Sequence, residues 1–334
     1  MKYVLILIAM VSAGLAQDEL ATLAQQRGLK PIPKEMLAAA KKAQASPLVQ
    51  LGKMLYFEPR LSRSGLISCN TCHNLGLGGT DGVAAAIGHK WAANPHHLNS
   101  PTVYNAVFNS KQFWDGRSPN LEDQATGPIQ AGPEMAMPAE LAVERIQSIP
   151  EYRDLFQKAF PEEKEALTFL NIGKAIAAFE ETLITPSDFD AYLIGKSDAL
   201  SEQEKKGLDL FVSKGCTTCH NGPGIGGSMM MKFPLIKPYK FADLGDFKGD
   251  ANGLTKVPTL RNIEETAPYF HNGAVWSLNE AVKIMGETQL GIDLQEAEVE
   301  AMVSFLKALT GEKPDVRYPT LPPSSKSTPR PDPS

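Results

Sequence analysis

Cysteine is scarce in this chain: four residues in 334, at Cys69, Cys72, Cys216 and Cys219. In an exported chain they would ordinarily read as two disulfides. Long apolar runs are scarcer still. Only residues 3–11 form one, well short of the roughly 20 residues a membrane-spanning helix needs, which excludes a multi-span membrane protein. Positive charge is not in surplus: 33 lysines and arginines stand against 38 acids, a net charge of −5. Without a basic stripe to neutralise phosphates, nucleic acid is excluded as a partner. Strand-like alternation beyond the length of a hairpin is missing, while 27 glycines and 25 prolines punctuate the chain. The expected fold is mainly α, with long Gly/Pro-rich loops.

What is present begins with an export signal. Lys2, the apolar residues 3–11 and the small residues of 12–16 precede Gln17-Asp18-Glu19, so residues 1–16 are expected to be a signal peptide. The mature protein is expected in the periplasm, with no membrane span. Its length suffices for two domains of ordinary size.

The four cysteines are consumed by two identical patterns, Cys69-Asn70-Thr71-Cys72-His73 and Cys216-Thr217-Thr218-Cys219-His220. Both match the c-type haem attachment signature. Residues three and four apart on a helical turn share a face. Two thiols can therefore bond to the two vinyl groups of one porphyrin, and the following histidine can ligate its iron. A four-cysteine zinc site would leave the two histidines unexplained. A thioredoxin-like centre would need a βαβ context, and disulfides would not select one five-residue pattern twice. Two covalently bound haems c are expected, with His73 and His220 as proximal ligands.

Similar segments precede the motifs: Gly52-Lys53-Met54-Leu55-Tyr56-Phe57 and Gly207-Leu208-Asp209-Leu210-Phe211. They suggest an internal repeat of a haem-binding module. Ser201-Glu202-Gln203-Glu204 is a capping box opening the second of these helices. Val299, Met302, Val303 and Leu306 have the spacing of a closing helix for the second module. Leu167, Leu170, Ile172, Ile176 and Phe179 supply one for the first. Pro186 and Gly195 mark a boundary. The expected division is a first haem domain over 17–187, a second over 188–312, and an extended Pro/Ser-rich tail over 313–334.

The sixth ligands decide the chemistry, because a methionine sulfur raises the reduction potential of a haem relative to a second histidine. Met285 is the candidate at the second haem. Ser277-Leu278-Asn279-Glu280 reads as a capping box opening its helix, and Gly286 as a left-handed cap closing it. Met229, Met230 and Met231 compete from a Gly-rich loop. At the first haem His89 is the candidate. It follows the Gly-rich residues 74–80, expected to be mobile, so it could bind and let go. His96 and His97, beside Pro95, read as surface loop residues, and His271 is left without a role.

With these residues assembled, the chain resembles the bacterial di-haem cytochrome c peroxidases from about residue 45 to 320. The similarity rests on both C-x-x-C-H sites, Asn99-Ser100-Pro101-Thr102-Val103-Tyr104-Asn105, Phe113-Trp114-Asp115-Gly116-Arg117, Pro268-Tyr269-Phe270-His271-Asn272-Gly273, and Met285-Gly286 ahead of Gln289-Leu290-Gly291. The resemblance implies two cytochrome c-like haem domains and reduction of hydrogen peroxide to water. The electron donor would be a small periplasmic cytochrome c or blue copper protein. It makes the haem of His220 and Met285 the electron-entry site. The haem of His73 becomes the peroxidatic site, with His89 as its removable ligand. It further implies Trp114 on the electron path, Glu134 and Gln124 in the distal pocket, and a homodimer. One calcium ion would be held by the Asn99 side chain and the carbonyls of Thr266 and Pro268. The rivals are a di-haem oxidase that matures a tryptophan-derived quinone, where tyrosine replaces the axial methionine, and a di-haem electron carrier without catalysis.

Overall fold

Two helix pairs organise the molecule, and each pair crosses at a glycine. In the computed structural model, which describes residues 18–334, helix Pro47–Tyr56 packs on helix Phe169–Glu180. A Cβ on Gly52 would stand 1.8 Å from the Ala175 carbonyl oxygen, so only glycine lets the two backbones touch. The second pair repeats the design: helix Glu202–Ser213 lies on Glu296–Lys307, and a Cβ on Gly207 would stand 1.9 Å from the Ala301 carbonyl oxygen. Phe179 and Phe305, each four residues beyond the contacted alanine, close over the glycine. The expected signal peptide, residues 1–16, lies outside the described residues.

Around the first pair gathers a core of Leu51, Leu55, Tyr56, Ile129, Ile146, Tyr152, Phe156 and Ile176; around the second, one of Phe189, Leu193, Leu208, Phe211, Phe305 and Leu309. The fold is mainly helical, and its one sheet among the described residues is a two-stranded antiparallel hairpin, Met230–Lys232 with Leu254–Lys256. No helix among them is long and apolar enough to cross a membrane.

The capping box at Ser201 forms as read, with both reciprocal bonds present. Val299, Met302, Val303 and Leu306 are all buried. Leu170 is the exception in the first closing helix: it is 69 % exposed, because the helix starts at Phe169 and turns that position outward.

Two further expectations are corrected, and the tail gains contacts that the sequence did not suggest. Helix Glu19–Gln26 and Leu29 do not join the first module; Ala21, Ala24 and Leu29 are buried in the second core, and Leu29 bridges Gly222 beside the second haem motif. The apolar face of this arm, not its place in the sequence, decides where it docks. The tail is extended but fastened to the first module. The Tyr318 ring packs at a tilt against Phe57, and its hydroxyl accepts a hydrogen bond from Asn70; the Arg145 guanidinium donates to the Arg330 carbonyl, and Arg63 pairs with Asp332. Residues 74–80 are not a free loop. Asn74 and Thr80 pair through their backbones, and a Cβ on Gly79 would stand 2.7 Å from Thr102 Oγ1. Their glycines serve left-handed turns and close packing.

The repeat runs deeper than the helices. Pro101-Thr102 leading to Asn105 is matched by Pro258-Thr259 leading to Asn262, and both asparagines are left-handed, with φ of 61° and 60°. Phe113 to Gly116 is matched by Phe270 to Gly273, again with left-handed φ at both phenylalanines and both glycines. At this offset Trp114 corresponds to His271, and Asn99 to Lys256. Each module then reaches the other by the same bond. The Asn99 amide donates to the His271 carbonyl and the Lys256 amide donates to the Trp114 carbonyl, both at 2.8 Å.

Candidate active site

Both attachment motifs fold as tight turns closed by the same bond. The amide of His73 donates to the Cys69 carbonyl at 2.9 Å, and that of His220 to the Cys216 carbonyl at 3.0 Å. No disulfide joins the four cysteines, and burial pushes the pKa values of their thiols up.

The second motif opens into a cavity of about 340 Å³ lined by Cys216, Cys219, His220, Met285, Trp114 and His271 among others. Burial holds the His220 imidazole neutral, its pKa lowered to about 4, which keeps its nitrogen lone pair available to a metal. Its Nδ1 is buried without a hydrogen-bond partner among the described residues. Met285 faces the same space from the end of helix Leu278–Met285. An apolar cavity with two thiols, a neutral imidazole and a thioether on its walls fits a covalently bound haem. Met231 also lines it, from the hairpin strand.

The helix carrying Met285 differs from its sequence reading at both ends. Ser277 accepts a hydrogen bond from the Glu280 amide, but the return bond is absent, because the Glu280 carboxylate is taken by Lys240. Gly286 is right-handed, at φ −56°. The chain continues through a π-turn, Gly286–Leu290, and the left-handed cap falls on Gly291. Gly286 is needed for closeness: a Cβ there would meet Leu294 at 3.0 Å.

At the first motif, His73 Nδ1 lies 2.9 Å from the Pro101 carbonyl. That bond fixes the tautomer and leaves Nε2 for iron. Tyr56 donates its hydroxyl to the His73 carbonyl. The Cys72 thiol donates to the Ile87 carbonyl at 3.8 Å, which brings the strand leading to His89 over the attachment site. His89 is buried and its Nδ1 has no hydrogen-bond partner among the described residues. Its own amide donates to the Glu134 carbonyl at 2.8 Å, and a Cβ on Gly88 would stand 2.0 Å from the Pro133 carbonyl oxygen. Lys90 and Trp91 directly after it are left-handed, a conformation that costs side-chain-bearing residues energy.

Glu134 sits in the turn that follows helix Leu121–Gln130, and that helix carries Gln124. Burial raises the Glu134 pKa above the ordinary carboxylate range, against the lowering pull of Arg117. After burial, the nearby charges of Asp81 and Glu134 help raise the Cys72 thiol to about 12, so the carboxyl stands close to the first attachment site. The structure thus gathers His73, His89 and Glu134 about one motif. Gln124 lies on the adjoining helix, its side chain without a hydrogen bond among the described residues.

Trp114 lies where the modules meet. Its Nε1–H donates to the Asn99 carbonyl at 2.9 Å, and its ring stands edge-on to His271 at 6.4 Å. His271 sits among Phe233, Tyr239 and Phe247 with its pKa lowered to about 4, by burial and then by the charge of Lys248. His96, on the surface, pairs with Asp246, and His97 bonds the Asn272 carbonyl. Sequence reasoning passed over Lys256, which reads as a solvated hairpin lysine yet is 5 % exposed. The signal that finds it is the Pro-Thr repeat two residues on.

Residues 46–198 match the family model described as di-haem cytochrome c peroxidase, and residues 204–310 match that of cytochrome c. The cytochrome c551 peroxidase of Nitrosomonas europaea is 48 % identical over 290 residues, covering 85 % of this chain and 86 % of that protein. The chain belongs to the di-haem cytochrome c peroxidase family. Its members hold two haems c, and this chain is a peroxidase. The cytochrome c551 peroxidase of Pseudomonas aeruginosa is 47 % identical over 312 residues, 90 % of each chain. Among solved structures, a MauG-like protein associated with microbial copper homeostasis superposes with a TM-score of 0.71 at 28 % identity, over 85 % of this chain and 93 % of that one.

Proposed function

We propose that this di-haem peroxidase reduces hydrogen peroxide to two waters in the periplasm, taking two electrons per turnover, one at a time, from a small cytochrome c or blue copper protein and two protons from solvent. When bound, the haems supply the redox chemistry, storing electrons and passing them to peroxide. His73 and His89 would hold the peroxidatic haem, and His220 and Met285 the haem that receives electrons. The observation that carries the reading is Glu134: a carboxyl with raised proton affinity, joined through its own carbonyl to the His89 amide. Cleaving an O–O bond unevenly needs a group that takes a proton from one oxygen and returns it to the other. The Glu134 carboxyl does this, and the Gln124 amide orients the peroxide. Withdrawal of His89 admits it, and the left-handed Lys90 and Trp91 give that segment a strained conformation to leave.

Trp114 carries electrons between the modules. A calcium ion is held by Asn99, Thr266 and Pro268, all on the wall of one cavity. The Asn99 amide nitrogen is committed to the Val83 carbonyl, which leaves Oδ1 as the donor. The carbonyls of Thr266 and Pro268 accept no hydrogen bond among the described residues. Oxygen donors of this kind suit calcium, with waters completing the shell.

Methionine at 285 favours the peroxidase over the quinone-maturing oxidase. The test is E134Q, with turnover and peroxide binding measured separately on the two-haem protein. Turnover should fall about 100-fold or more while binding persists; full turnover would remove Glu134 from the chemistry.

A further inference from the structure

Among the described residues Lys256 is the one buried lysine, and it stands in the wall of the cavity next to Trp114. It makes no ion pair, and its ammonium has no hydrogen-bond acceptor among the described residues. The other lysines with named partners, such as Lys214 with Glu298 or Lys240 with Glu280, lie at the surface and meet carboxylates there. Placing an ammonium in an apolar wall without a counter-charge costs several kcal/mol, and a chain does not keep such a group unless something supplies the missing anion. Its place is fixed by backbone. The Lys256 amide donates to the Trp114 carbonyl, and the hairpin register pairs Lys256 with Met230.

We infer that the Lys256 ammonium is the counter-ion of a propionate carboxylate of the haem seated between His220 and Met285. This rests on the reading of the cavity as that haem's seat. A haem c held by its vinyl edge through two thioethers keeps two free propionates, the only carboxylates that would enter this apolar space. The repeat adds a second argument. Lys256 occupies the position of Asn99, the residue assigned to calcium, so the same point in each module provides for positive charge: a recruited ion in the first and a built-in ammonium in the second. Burial lowers the lysine's pKa to about 8, and a carboxylate partner would restore its proton affinity. A fixed cation at this edge stabilises the reduced, less positive haem and so raises its potential.

The test is a spectropotentiometric titration of the full two-haem protein beside K256Q and K256R, with haem counted per chain and the propionate bending band followed by resonance Raman. K256Q should keep both haems, shift its propionate band, and lower the midpoint of the methionine-ligated haem. A tenfold change in its reduction equilibrium, or 59 mV for one electron, is the size expected. The histidine-ligated haem should not move, and K256R should stay near wild type. An unmoved midpoint and band in K256Q would overturn the ion pair while leaving the two-haem reading intact. A wild-type chain with only one haem would instead sink that reading. Should K256Q lose the second haem, K256R decides. Retention with a wild-type midpoint supports the cation, and loss there too assigns Lys256 a steric role and overturns the proposal.

Discussion

The two modules share everything needed to hold a haem and differ in what is needed to use one. Both cross their helices at a glycine, both close the C-x-x-C-H turn with one backbone bond, and both carry left-handed asparagine and phenylalanine in matching loops. The distal side separates them. His89 rides on a short segment with two left-handed residues, whereas Met285 ends a helix that runs on into a π-turn stopped by Gly291. One support is a short strained loop; the other is the end of a helix. The matched positions diverge as well, with Trp114 against His271, Asn99 against Lys256, and the buried acid Glu180 against Leu306. Duplication preserved the scaffold, and a few substitutions on it divided the labour.

The comparison breaks most completely at the crossings. In G52A or G207A the new methyl would fall within 2 Å of a carbonyl oxygen, beyond the usual 1–3 kcal/mol of overpacking. Each variant should lose the haem of its own module and keep the other, as haem count and spectra will show. Equal loss of both from either variant would mean the modules do not fold as units. Next in size, M285H should lower the potential of the second haem by on the order of 0.1 V, within the ~0.8 V that axial ligands command. Potentiometry should then show two low-potential centres and a protein that no longer fills its haems in order.

W114F should slow electron passage between haems several-fold with neither midpoint changed; stopped-flow traces identical to wild type would take Trp114 off the path. Smallest is the effect at Glu180. Its pKa is raised to about 8, by burial and then by Glu181. The unfolded chain releases this proton near the ordinary carboxylate value while the folded chain keeps it to about pH 8. Between those limits the folded state binds more protons, so stability falls as pH rises. E180Q should match wild type near pH 5 and exceed it by about 1–2 kcal/mol at pH 8 in thermal unfolding. A pH-independent difference would show that the carboxyl is solvated.

Much of this was legible because covalent haem attachment and helix crossing impose short, rigid patterns. Cys69 to His73, Cys216 to His220, and the Gly52 and Gly207 segments could be read directly. Met285 and His89 could be nominated only as residues of the right type in the right interval; the burial of His89 and the place of Met285 on the cavity wall come from packing. The loop repeat around Pro101 and Pro258 was visible in the letters but carries no periodicity, so it pointed to no element. Lys256 was hidden because a lysine in a hairpin ordinarily faces water. The docking of residues 18–29 was hidden because it depends on a partner surface formed some two hundred positions later in the chain.

That docking has a consequence for how the polypeptide holds together. The leading segment completes the second module, and the trailing segment covers the first. The chain is therefore laced crosswise, and its two ends report on the opposite halves. Disturbing residues 18–29 would loosen the second module, although that module's own C-x-x-C-H motif lies far downstream. A cut between the modules would leave two fragments still strapped together, each fastened by a limb of the other.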